Sequence, residues 1–129
     1  MPTFFAKNGT AKFYLRKGVA ENCFGTKKFF RYKYNGIQPG ILENYAHRLE
    51  YVEGDYQLVE GVYLIPHKTQ GLERIAKKVN LYIKENGKMF ADDFAHEQSL
   101  VFDTPKGLVV FNSCSHGGAD NIIHEVDRE

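Results

Sequence analysis

The stretch Phe111-Asn-Ser-Cys-Ser-His-Gly-Gly-Ala-Asp-Asn121 concentrates the side chains most able to do chemistry in this chain. Four chemistries fit residues of these types. Ser113-Cys114-Ser115-His116-Gly117 is one residue away from a Gly-x-Ser-x-Gly nucleophile elbow. The chain is short for a typical α/β-hydrolase, however, and no Asp and His follow at a spacing that completes a triad. Cys114, two residues from His116 and close to a helix start, has surroundings that lower a thiol pKa. The competing reading of Cys114 is a buried structural cysteine at a strand end. Gly117 and Gly118 present backbone N–H groups that could cradle an anion, although Asp120 already supplies a carboxylate there. The fourth chemistry is metal binding by His116 and Cys114.

The metal reading gains from a second cluster, Ala91-Asp-Asp-Phe-Ala-His-Glu97. The two clusters flank an apparent β-hairpin, one strand over about 98–103 and a second over about 107–113, joined by a Thr-Pro-Lys-Gly turn. One strand leaves His96 and the other returns, so His96, Cys114 and His116 should meet at one end of the hairpin, with Asp92 and Asp93 beside them. Histidine, cysteine and carboxylate are ligands for zinc or iron. Of the other histidines, His47 lies on an expected helix among charges and His124 on the polar side of the last helix. Both read as exposed, and His67, in the loop Pro66-His-Lys-Thr-Gln-Gly71, stays open between roles. Cys23 and Cys114 form no Cys-x-x-Cys unit, and a reducing cytoplasm with both thiols free is the expectation.

These groups must be positioned by strands and short helices. Residues 11–16, AKFYLR, alternate as a strand, whereas 17–40 read as irregular with a short strand at FFRYKY. Pro39 opens an expected helix that places Ile41, Tyr45 and Leu49 on one face. Gly54-Asp55 and Gly61 punctuate short β-rich pieces up to Pro66. The segment from Leu72 to Gly87 reads equally as helix or strand, and the tail is a helix with Asp120 as its cap. With 129 residues, 43% hydrophobic and 26% charged, the chain reads as a single α/β domain, 1–129. The net charge of +1 gives no electrostatic reason for a nucleic-acid partner. The basic and aromatic runs FFAKNGTAKFYLRK and FFRYKY read instead as half-buried strands. No apolar run approaches bilayer length, and the N-terminus has no signal-like apolar core.

Residues 92–126 resemble the metallo-β-lactamase superfamily, in the branch of ribofuranosylaminobenzene-phosphate (dihydropterin) synthase-like metal-dependent hydrolases. The resemblance rests on an acidic stretch, a β-hairpin and the turn Ser113-Cys-Ser-His-Gly-Gly118 followed by Asn121. AKFYLRK and VEGDYQLVEGVYLIPH extend it with less specificity. It implies a partial αββα metallo-β-lactamase-like sandwich and a metal-dependent hydrolase. His116 falls on the turn histidine expected to bind metal, Cys114 where a metal-bridging aspartate is common, and His96 is a looser third ligand. The cofactor implied is a divalent metal, zinc first, with iron or manganese as alternatives. The superfamily's His-x-His-x-Asp-His motif is absent from the sequence, as is a later histidine in a Gly-Gly-x-His context. The expectation is therefore an incomplete domain lacking the N-terminal metal-motif region, with little hydrolysis alone. An exposed sheet would be covered by a second copy or a complementary chain. The alternative function is a non-catalytic binding or assembly module that retains the framework.

Overall fold

A computed structural model describes residues 1–18, 22–27 and 31–127. Helix α1 (Pro2–Lys7) precedes strands β1 (Phe13–Arg16), β2 (Cys23–Lys27) and β3 (Arg31–Tyr34). Helix α2 (Ile41–Asn44) and a 3₁₀ turn (Ala46–Arg48) lead into β4 (Leu49–Val52), β5 (Tyr56–Val59) and β6 (Val62–Pro66). Then come α3 (Glu73–Val79), β7 (Leu81–Glu85), β8 (Lys88–Ala91), β9 (Gln98–Thr104), β10 (Gly107–Phe111) and α4 (Ala119–Asp127).

Among the described residues the strands form three sheets. The order β10-β9-β6-β5 makes one four-stranded antiparallel sheet and β3-β2-β7-β8 a second, while β1 and β4 pair in parallel. Three apolar clusters hold these layers. Phe5, Leu15 and Leu49 gather under α1, and Ile65 and Val101 pack with Val126 of α4. Leu72, Ala76 and Phe94 join α3 to the turn that follows β8. Buried Arg16 ties β1 to the first sheet, donating from Nη2 to the Leu64 carbonyl at 3.0 Å and from Nη1 to the Gly54 carbonyl.

The mixed α/β class expected from the sequence is what forms, and β1, the hairpin and the last helix fall where they are expected, except that α4 begins at Ala119, so Asp120 lies in its first turn rather than capping it. The helix expected to run from 41 to 49 does not. It stops at Asn44, because Leu49 pairs with Phe13 in the parallel ladder and its side chain is buried beside Phe5. That long-range pairing outweighs the local apolar spacing. The ambiguous segment from Leu72 is helix and then strand. Asn80, at φ 59°, ends α3 in the left-handed conformation favoured at helix C-termini and turns the chain into β7. Residues 23–27, read as irregular, are a strand between β3 and β7. β3 accounts for the last four residues of FFRYKY; Phe29 and Phe30 lie outside the described residues.

Candidate metal centre

The turn after β10 is built by one side chain. Asn112 accepts from the Ser115 backbone N–H at 2.7 Å and its hydroxyl at 3.0 Å, and donates to the Ser99 hydroxyl at 3.0 Å. Ser115 is thereby held at φ 49°, and the Gly118 N–H returns to the Ser115 carbonyl at 3.0 Å. This fixes His116 at the tip. The Ser115 hydroxyl is spent on Asn112, which removes it as an activated nucleophile. Cys114 is exposed, so the buried structural reading of this thiol does not hold.

His116 is oriented by Glu97. Its Nδ1 lies 2.7 Å from Glu97 Oε1, and its ring stacks on Phe94 with centroids 5.7 Å apart. With Nδ1 engaged, Nε2 is the nitrogen left for a ligand, the way carboxylates orient metal-binding imidazoles. Glu97 Oε2 lies 3.2 Å from His67 Nε2, and His67 Nδ1 lies 2.9 Å from Glu125 Oε2. Glu125 Oε1 accepts the backbone N–H groups of Lys68 and Thr69, both at 2.9 Å. A continuous chain of polar groups thus runs from α4 through His67 to the turn. The His67 side chain is only 4% exposed.

The electrostatics follow from these contacts. The hydrogen bond to Glu97 raises the His67 pKa above its ordinary value; burial opposes this, and Glu125 adds to it. Burial pushes Glu97 up, but hydrogen bonds from His67 and His116 prevail and hold it below the usual carboxylate range. Burial acts likewise on Glu125 and is outweighed by hydrogen bonds from Thr69, Lys68 and His67.

His116, Cys114 and His96 border one cleft of about 520 Å³, together with Asp92, Glu97 and Cys23. Asp93 lies outside it and caps the Ala95 N–H at 3.0 Å. The hairpin does bring the three expected ligands to one cavity. Those three do not converge on one point, however. Among the described residues, the His, Cys and carboxylate groups whose donor atoms gather within 4.8 Å are Cys23, Asp92 and His96. Imidazole, thiol and carboxylate lining one cleft suit a borderline divalent ion such as zinc. His47 and His124 are exposed, as their positions suggest. His67, Glu125, Glu97 and Cys23 were not singled out by spacing. Glu97 adjoins His96 in the acidic cluster, whereas Cys23 sits in the stretch read as irregular.

No family model and no curated protein matches this chain. Its fold matches the crystal structure of Tm1679, a metal-dependent hydrolase of the β-lactamase superfamily, with a TM-score of 0.71 and 24% sequence identity. The match covers 92% of this chain and 44% of that one, so the chain spans less than half of the length of its structural neighbour. The architecture is a partial metallo-β-lactamase-type α/β sandwich.

Proposed function

We propose that this chain carries part of the metal site of a metallo-β-lactamase-fold hydrolase and has little hydrolytic activity alone. The observation that carries the reading is His116, fixed at a strand end by Asn112 and oriented by Glu97 so that Nε2 remains free beside the cleft. His116 and Cys114 on the turn would hold the ion, with His96 bordering the same cleft. Zinc suits these donors best, and iron or manganese suits a His and carboxylate set. A divalent ion at such a site lowers the pKa of water and polarises a carbonyl or phosphoryl oxygen. Glu97 keeps the His116 ring in one tautomer, and Phe94 limits its rotation. The sequence lacks a His-x-His-x-Asp-His motif, so further ligands would have to come from another chain or segment. A reducing cytoplasm suits the two free thiols. Among the described residues no helix is long and apolar enough to cross a membrane.

The test is metal uptake by the purified chain, read with ester and phosphodiester turnover. The expected result is zinc bound in the cleft, weakened by His116→Ala, with turnover close to that of the variant. Robust turnover by the 129-residue chain, abolished by His116→Ala, would show that its own ligands suffice.

One observation favours the second reading, an assembly module. All five residues of β10 are exposed, including Leu108, Val109, Val110 and Phe111, and β10 is the edge of its sheet. Such an edge is a template for pairing with another chain. A second copy or a complementary chain is the proposed cover. Self-association of an otherwise metal-free protein would support this reading over the first.

A further inference from the structure

A second set of donors meets in the cleft without His116. Cys23, Asp92 and His96 each offer one ligand atom, and these atoms all lie within 4.8 Å of one another. His96 Nδ1 and Asp92 Oδ1 are 3.5 Å apart. That is beyond ordinary hydrogen-bond length. It matches the separation of about 3.4 Å between an imidazole nitrogen and a carboxylate oxygen on one tetrahedral zinc ion.

The fold brings the three together for definite reasons. Cys23 on β2 pairs with Ile83 of β7, and Gly25 pairs with Leu81. The Asp92 N–H donates to the Leu81 carbonyl at 3.2 Å, extending the β7–β8 ladder by one residue. Paired residues share a face and alternate residues return to it, so Cys23 and Asp92 project to one side of this sheet. His96 is folded back by a tight turn. Asp92 Oδ1 accepts the Phe94 N–H at 2.8 Å, Phe94 adopts φ 58°, and the Glu97 N–H returns to the Phe94 carbonyl at 2.9 Å. Phe94 is fully buried against Leu72 and Ala76, which anchors the turn.

Asp92 independently points to a cation. Its side chain is 5% exposed, and the hydrogen bond it accepts comes from the Phe94 N–H at 2.8 Å. A carboxylate buried with so little compensation is costly unless a cation meets it.

We propose that Cys23, Asp92 and His96 form a binding site for one thiophilic divalent ion of the zinc class, clipping β2 to the 92–97 turn. One sulfur, one nitrogen and one oxygen donor leave a fourth position for water. The sulfur and nitrogen donors disfavour magnesium and calcium. The site does not depend on the hydrolase reading, which rests on His116.

Cobalt titration of the full, metal-stripped chain tests this, because a thiolate bound to cobalt gives a near-ultraviolet charge-transfer band. The titration is made in Cys114→Ser, which leaves Cys23 as the one thiol of the chain. The expected result is a band saturating at one cobalt per chain and displaced by zinc. Cobalt affinity should fall at least tenfold when Asp92→Asn or His96→Ala is added, and the band should persist when His116→Ala is added. Circular dichroism of each variant confirms that folding is retained. Absence of a band in Cys114→Ser overturns the proposal. So does a band there that neither Asp92→Asn nor His96→Ala weakens.

Discussion

Replacing His67 by Gln removes the imidazole held between Glu97 and Glu125 and leaves a side chain of similar size. The exposures of 4% for His67, 10% for Glu97 and 7% for Glu125 make this a buried network. Breaking a buried ion pair from one side costs about 3–5 kcal/mol. Here Glu97 keeps His116, and Glu125 keeps the N–H groups of Lys68 and Thr69. The loss should therefore fall at the lower end, about 3 kcal/mol, or about 10 °C in Tm for a chain of this size. Thermal and urea unfolding of both proteins across pH gives the assay. The folded pKa of His67 is raised above 6.5, so its contribution is complete below that pH and fades as pH rises through the folded value. Glu97 and Glu125 are lowered from 4.5, so their contributions are complete above that pH and fade as pH falls through the folded values. The stability gap between the two proteins should thus be widest between pH 4.5 and 6.5 and should narrow towards alkaline pH. A gap under about 1 kcal/mol at pH 6, well short of the expected penalty, or one that widens between pH 6.5 and 9, would refute the buried-cation argument.

Other perturbations follow from the same contacts. Phe94→Ala empties a fully buried site under His116 and should cost about 3–5 kcal/mol in urea unfolding. Gly117→Ala would place a Cβ 2.6 Å from the buried His67 ring; overpacking of about 1–3 kcal/mol should appear as a lower Tm. Asn112→Ala deletes both acceptor bonds to Ser115 and should weaken zinc binding at the turn, measured by calorimetry, more than it lowers stability. Val109→Lys on the exposed β10 edge should shift sedimentation towards monomer if copies pair through that strand.

Local sequence chemistry revealed the hairpin because alternation, Thr104-Pro105-Lys106-Gly107 and the flanking clusters all point the same way. Placing His96, Cys114 and His116 at one cleft required only the return of β10 beside β9. Cys23 was invisible for the opposite reason. It reaches Asp92 across β7, through pairing between segments nearly 60 residues apart, and nothing near Cys23 encodes that register. His67 and Glu125 meet because α4 packs on β6 through Val126 and Ile65. Local patterning shows that α4 is amphipathic but not which sheet it covers. Leu49 failed as a helix residue on the same principle, since its strand partner lies in β1.

The most direct test of the proposed metal centre is anomalous diffraction at the zinc edge from crystals of the zinc-loaded chain. The predicted result is an anomalous peak in the cleft at about 2.0–2.1 Å from His116 Nε2, with Glu97 still on Nδ1. Zinc-loaded crystals with no peak beside His116 would contradict the assignment of this turn as a metal ligand.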